Sequence, residues 1–150
     1  MCRMLLLKLE RPQRPVRWLR SFAEMTRQSL SPEGDWQGDG WGLAWLGGDG
    51  RWQSRHSLAP LWQEESAFAL LPESRYWICH ARSASFPSSR GVAAYNQPYL
   101  LGSTVFVFNG LLAGVRTPTP VPGRIGAQKI AHLVAENLGH GSLSWTLNWL

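Results

Sequence analysis

Most apolar runs in this chain are short enough to be β-strands. Residues 4–9 predict a buried first strand, and the prolines within residues 11–15 predict its end, because proline extends neither a ladder nor a helix interior. Residues 41–45 and 51–55 are separated by the turn sequence Gly-Gly-Asp-Gly and predict a β-hairpin. Two more strands are predicted, at residues 76–81 and 104–108.

Helices are predicted where apolar residues recur every three or four positions. Trp18, Phe22 and Met25 have the spacing of an amphipathic helix over residues 16–30 that packs on a sheet. A short helix is predicted at residues 63–70. Beyond an irregular proline-rich loop at residues 117–122, a helix over residues 130–138 is closed by a glycine, and residues 142–150 look like the start of another helix.

Composition predicts one compact domain over all 150 residues, with 44% hydrophobic and 17% charged residues. No apolar run approaches the ~20 residues of a membrane helix, and no signal-peptide pattern follows Arg3. We therefore expect a cytoplasmic protein with no membrane association. The net charge of +5 comes mostly from arginine, which fits a solvated helix face better than a nucleic-acid patch. Cysteine and histidine show no zinc-ligand spacing, so no metal site is expected.

Cys2 is the strongest candidate for a catalytic residue in the sequence. Removal of Met1 would leave a thiol and a free α-amine on this one residue. Their ordinary pKa values are about 8.5 and about 7.7–8.0, so at neutral pH the amine could accept the proton of the thiol. The other cysteine, Cys79, lies in an apolar strand and is expected to be a buried thiol. A reducing compartment and the catalytic interpretation of Cys2 both argue against a disulfide between the two.

Five segments occur in the order and spacing of one known family. They are Cys2-Arg3, Gly-Asp-Gly-Trp-Gly-Leu-Ala-Trp at 38–45, His-Ala-Arg-Ser-Ala-Ser at 80–85, Asn-Gln-Pro-Tyr at 96–99 and Phe-Val-Phe-Asn-Gly at 106–110. Together they resemble the class II glutamine amidotransferase domain of the N-terminal-nucleophile hydrolases, over residues 2 to about 115. The resemblance implies an α+β fold, the αββα sandwich of antiparallel sheets. It also implies hydrolysis of the γ-amide of glutamine or of a γ-glutamyl compound, without a cofactor.

The resemblance assigns roles to six residues. Cys2 is the nucleophile and forms a γ-glutamyl thioester, while Asn109 and Gly110 form the oxyanion hole. Arg82 binds the substrate carboxylate through its guanidinium fork. His80 either orients the loop of Arg82 or touches the substrate, and Ser85 is a further candidate for binding the carboxylate.

One position departs from the family pattern. The family carries an aspartate that binds the α-ammonium of glutamine at the start of a helix, and Ala127 stands there in this chain, followed by Lys129. Loss of such a charge-assisted contact weakens binding by roughly one to two orders of magnitude. Either Glu136 or a partner's residue substitutes for the aspartate, or the substrate has a blocked or absent α-amine.

The chain is also shorter than the domains it resembles, so we expect the sandwich to be incomplete at its C-terminal end. Three explanations are open: a truncated product, a split enzyme completed by another polypeptide, or a homo-oligomer formed through an uncovered apolar patch. The patch would consist of Leu143, Trp145, Leu147, Trp149 and Leu150.

Two other functions are consistent with the sequence. The first is a catalytically weakened module that uses the fold for assembly, and the second, ranked last, is an arginine-rich nucleic-acid binder. If ammonia is transferred, the acceptor synthase must be a separate protein, because no synthase fits in 150 residues.

Overall fold

The structure is a computed structural model that describes residues 1–28, 35–110 and 120–139. Its strands are β1 (Arg3–Gln13), β2 (Trp41–Leu46), β3 (Trp52–Ser57), β4 (Ser74–Ala81), β5 (Tyr99–Leu101) and β6 (Thr104–Phe106). Its α-helices are α1 (Val16–Arg27) and α2 (Gly126–Gly139). Short 3₁₀ helices occur at Leu61–Gln63, Glu65–Leu70, Pro87–Ser89 and Ala93–Tyr95.

The strands form two antiparallel sheets. The larger sheet has the order β1-β4-β2-β3, so that β4 and β2 are central and β1 and β3 are the edges. The smaller sheet is the β5–β6 hairpin. The predicted α+β class with antiparallel sheets is therefore confirmed.

One face of the larger sheet carries the core. Neighbouring residues of a strand point to opposite faces, so Cys79 of β4 shares a face with its register partners Leu5 and Leu43. Helix α1 and the 3₁₀ helices at 61–70 cover this face. The helix contributes the i, i+3, i+4, i+7 set of Leu19, Phe22, Ala23 and Thr26, all buried.

The predicted apolar stripe of α1 is wrong in two of its three positions. Phe22 is buried as expected, whereas Met25 is 42% exposed and Trp18 is only partly buried. The guanidinium of Arg17 lies 4.0 Å from the ring centre of Trp18, so the indole makes a cation–π contact at the surface. Residues 18, 22 and 25 and residues 19, 22 and 26 both have helical spacing. The second set, in which Leu19 and Thr26 are smaller than Trp18 and Met25, is the one that packs in the core.

The first strand is longer than predicted. The prolines at 11–15 were expected to end it, but β1 continues through Pro12 to Gln13. Two features explain the correction. β1 is an edge strand, where proline is tolerated, and its register with β4 shifts between Lys8 and Gln13.

The remaining predictions differ from the structure mainly at element ends. The predicted hairpin is confirmed as β2 and β3, and the predicted strand at 76–81 lies within β4. Residues 65–70 form a 3₁₀ helix, β6 ends at Phe106 and α2 begins at Gly126. The expectations for residues 30, 117–119 and 142–150, including the apolar C-terminal patch, lie outside the described residues. Within the described ranges, no helix has the length and apolar character needed to cross a membrane.

Gly42 of β2 allows a close approach on the sheet face opposite α1. A Cβ built there would lie 2.1 Å from the backbone oxygen of Gln97, which is far inside contact distance. We expect Gly42→Ala to lower the free energy of unfolding by about 1–3 kcal/mol, because the Gln97 backbone must move. Urea denaturation measures this effect. Gly48→Ala is the matched control, since its Cβ would meet nothing within 4 Å; equal stability of the two variants would contradict the prediction.

Candidate active site

All six residues predicted for the site line a single cleft of about 470 Å³. The cleft lies where the start of β1, the segment after β4 and the N-terminus of α2 meet. The predicted residues on its walls are Cys2, His80, Arg82, Ser85, Asn109 and Gly110. Residues more than 100 positions apart in the sequence are thus neighbours here.

Antiparallel pairing of β1 with β4 brings Cys2 to the loop that follows β4. Arg3 is the register partner of Ala81, so the first residues of β1 lie beside residues 82–85. The Cys2 sulfur accepts a hydrogen bond from the Ser83 backbone N–H at 3.4 Å and lies 3.5 Å from the Ser83 carbonyl oxygen. Within the described part of the chain, the thiol is therefore fixed against backbone and not against a side-chain base.

Burial raises the pKa of the Cys2 thiol, an effect that the Ser83 N–H, the N-terminal charge and Arg82 oppose. Since its ordinary pKa is about 8.5, the thiol is mainly protonated at pH 7. Formation of a thiolate at this position needs a proton acceptor close by.

The N-terminal residue is held by groups that the sequence analysis did not identify. The Met1 α-ammonium forms an ion pair with Asp35, and the Met1 carbonyl accepts a hydrogen bond from Gln37 Nε2 at 3.0 Å. Gln37 is fully buried, and its Oε1 has no hydrogen-bond partner among the described residues. Gln37 therefore holds the carbonyl of the peptide bond that joins Met1 to Cys2.

Asn109 is positioned directly against Cys2. Its Nδ2 donates a hydrogen bond to the Cys2 carbonyl oxygen at 3.0 Å. Gln97 fixes the preceding residue, since its Oε1 accepts the Phe108 N–H at 2.5 Å and its Nε2 donates to the Phe108 carbonyl at 3.1 Å. Gln97 belongs to the Asn-Gln-Pro-Tyr segment at 96–99, and its residue type alone predicts no role. Its double contact identifies it as a positioning residue for Asn109 and Gly110.

Arg82 is a buried cation, only 6% exposed. Its Nη2 donates to the Ser89 carbonyl at 2.7 Å, and its guanidinium lies 5.8 Å from the ring centre of Tyr95. Among the described residues, Nη1 has no hydrogen-bond partner and Arg82 forms no ion pair. No described carboxylate therefore neutralises this charge in the wall of the cleft.

The glycine-rich segment before β2 holds the Arg82 loop in place. The Asp39 N–H donates to the Arg82 carbonyl at 3.0 Å, and the Arg82 N–H donates to the Gly40 carbonyl at 2.8 Å. Asp39 Oδ2 accepts the Ala84 N–H at 2.8 Å. The backbone of this segment therefore packs against the Arg82 loop beside the site.

His80 and Ser85 differ in their surroundings. His80 is fully buried, and neither of its ring nitrogens has a partner among the described residues. Burial, with smaller contributions from Arg82 and His56, lowers the pKa of His80 to about 4, so the ring is neutral at pH 7. Ser85 is exposed. The contacts assign neither residue to one of the roles predicted for it.

The N-terminus of α2 forms the wall of the cleft where the family's aspartate was expected. Ala127 lines the cleft together with Arg124 and Ile130. Glu136, considered as a substitute carboxylate, does not line it. It lies nine residues further along α2, or about 14 Å at the helical rise.

The two cysteines are both free, as expected. Cys79 is the register partner of Leu5, three residues from Cys2. At the rise of a strand this separation is about 10 Å, beyond the reach of a disulfide. Burial raises the pKa of the Cys79 thiol strongly. Within residues 1–28, 35–110 and 120–139, no three acidic, histidine or cysteine side chains gather in a way that could hold a metal ion.

Comparison with known proteins adds no assignment to this geometry: no protein-family model matches the chain, and no curated protein matches it.

Proposed function

We propose that the protein is an N-terminal-cysteine amidohydrolase of the class II glutamine amidotransferase type. The observation that carries the proposal is the convergence of Cys2, Asn109, Gly110 and Arg82 on one cleft. In that cleft the sulfur contacts a backbone N–H, and the Asn109 amide contacts the backbone of Cys2. Nucleophile, oxyanion donors and a cation for the substrate carboxylate are thus within one substrate-sized space.

The reaction begins with the processed protein, in which Cys2 is the first residue. Its α-amine takes the thiol proton, and the sulfur attacks the amide carbon of the substrate. The ammonium returns that proton to the leaving nitrogen as the C–N bond breaks, which releases ammonia and leaves a thioester. Water then attacks the thioester carbon, giving the free carboxylate and regenerating the thiol. Burial raises the pKa of the Cys2 thiol, so a base directly beside it favours the attack, and the adjacent amine is such a base.

The negative charge that develops on the carbonyl oxygen is stabilised by Asn109 and Gly110. An asparagine amide has two N–H donors. One donates to the Cys2 carbonyl, which leaves the second for the oxyanion. The backbone N–H of Gly110 is the other donor, in a segment that Gln97 fixes through Phe108.

The αββα sandwich is part of this proposal. It requires a second sheet on the face of the larger sheet opposite α1. On that face Met4 and Leu6 are 41% and 64% exposed, and the Gln97 backbone approaches Gly42. The β5–β6 hairpin begins two residues after Gln97, and these features support its role as the start of a second sheet.

We also propose a cytoplasmic location and, for transfer of ammonia, a separate acceptor synthase.

The proposal is tested by intact-mass analysis before and after treatment with 6-diazo-5-oxo-norleucine and with its N-acetyl derivative. We expect loss of Met1 and one adduct at Cys2, formed when sulfur displaces N₂ from the diazo carbon. Cys79→Ala is the matched control and should label normally, because Cys79 is buried with a raised pKa. Retention of Met1, or an adduct on another residue, would sink the proposal.

A further inference from the structure

The charged side chains that line the cleft are all positive among the described residues. Among the described residues its walls contain two arginines, Arg82 and Arg124, and no aspartate or glutamate. The sequence of residues 111–119, which directly follows Gly110, contains no acidic residue either. The described walls therefore contain groups that stabilise an anion and no carboxylate that would stabilise a cation.

Arg82 shows that this charge is available to a ligand. Only 6% of Arg82 is exposed. Among the described residues it forms no ion pair, and its Nη1 has no hydrogen-bond partner. A buried charge is stable when it is paired, so an arginine in this state is completed by an anionic ligand. Asp39, whose backbone N–H donates to the Arg82 carbonyl, is already bound by Arg90 at 3.3 Å and by the Ala84 N–H.

The start of α2 adds to the positive electrostatic potential in the cleft. Gly126, Ala127 and Ile130 from its first turns line the cleft. A helix N-terminus carries a partial positive charge. Arg124, two residues before the helix, lines the cleft as well, and its side chain forms no ion pair with the described part of the chain. An ammonium group placed here would meet two guanidinium groups, a helix N-terminus and the methyl group of Ala127.

We propose that the preferred substrate is a primary amide with a carboxylate at its remote end and no free ammonium group. N-acylglutamines and monoamides of dicarboxylic acids belong to this class. The inference rests on the proposed amidohydrolase function and names its substrate. The carboxylate pairs with Arg82, the amide reaches Cys2, and an acyl group or hydrogen replaces the ammonium beside Ala127.

The test compares ammonia release by the processed protein from glutamine, N-acetylglutamine and glutaramate, which is the glutamine analogue without an amine. We expect kcat/KM for the two substrates without an ammonium to exceed that for glutamine by about 10-fold or more, the range that one unmatched charge produces. If only glutaramate is preferred, the pocket excludes the acyl group and the substrate is a dicarboxylic monoamide. If both are preferred, the absence of charge is the determinant.

Ala127→Asp provides a positive control in the same protein. It should raise the ratio of kcat/KM for glutamine to kcat/KM for glutaramate, and by more than Ala127→Asn, which adds similar bulk without charge. Glutamine hydrolysed as well as or better than both other amides would overturn the inference while leaving the amidohydrolase intact. No hydrolysis of any of the three, together with an unlabelled Cys2, would overturn the proposed function and this inference with it.

Discussion

Replacing Cys2 by alanine is expected to abolish amide hydrolysis, with a decrease in kcat of roughly 10⁴-fold or more, the range found when a covalent nucleophile is removed. The effect is large because the proposed reaction passes through a thioester on the Cys2 sulfur. His80, which also lines the cleft, has a pKa lowered to about 4, both ring nitrogens buried and no hydrogen-bond partner in the described structure. Steady-state ammonia release from the processed protein measures the decrease.

Two further variants test the α-amine of Cys2 and the second cysteine separately. Insertion of one alanine between Met1 and Cys2 keeps the thiol but places its amine in a peptide bond, and hydrolysis should fall nearly as far as in Cys2→Ala. Cys79→Ala should keep its activity, since Cys79 lies in the core on the helix side of the sheet. Undiminished hydrolysis by the insertion variant would show that the α-amine is not the base.

Replacing Asn109 by alanine is expected to lower kcat by roughly 10²–10³-fold with little change in KM. Loss of one preorganised oxyanion donor has this magnitude, and the donor acts only once charge has developed on the carbonyl oxygen. The measurement is a comparison of kcat and KM for amide hydrolysis in wild type and Asn109→Ala.

Asn109 also bonds the Cys2 carbonyl, so a structural explanation of its effect must be separated from a catalytic one. Alkylation of Cys2 by iodoacetamide forms no oxyanion and depends only on the position and ionisation of the thiol. We expect the alkylation rate of Asn109→Ala to stay within a few-fold of wild type while hydrolysis falls. A parallel loss of both rates would assign Asn109 to holding Cys2 in place.

Hydrophobic spacing predicted the positions of most elements but not their ends or faces. The strand at 76–81 and the hairpin follow from apolar runs and a glycine turn, which are local signals. The extension of β1 through Pro12 depends on its edge position, which is a property of the whole sheet. The short strand β5 spans only Tyr99–Leu101 and is paired by β6, so its three residues carry no independent pattern.

The residues of the candidate site could likewise be predicted only in part. Cys2, Arg82 and Asn109 were found because their residue types and order form a recognisable pattern. Gln37 and Gln97 were not given roles, since an isolated glutamine in a sequence has no chemical signature. Their importance lies in contacts across the fold, from Gln37 to the Met1 carbonyl and from Gln97 to both backbone groups of Phe108. Such contacts are visible only when distant segments are seen together.

The separation of Cys2 from Cys79 has a practical consequence for oxidation. Because the two sulfurs cannot reach each other in the folded chain, an oxidant cannot protect the reactive thiol by closing an internal bridge. Oxidised Cys2 instead proceeds to a sulfenic acid or to a mixed disulfide with another molecule. Preparations handled without reductant should therefore accumulate covalent dimers or small-thiol adducts at Cys2, and a reducing agent should reverse both.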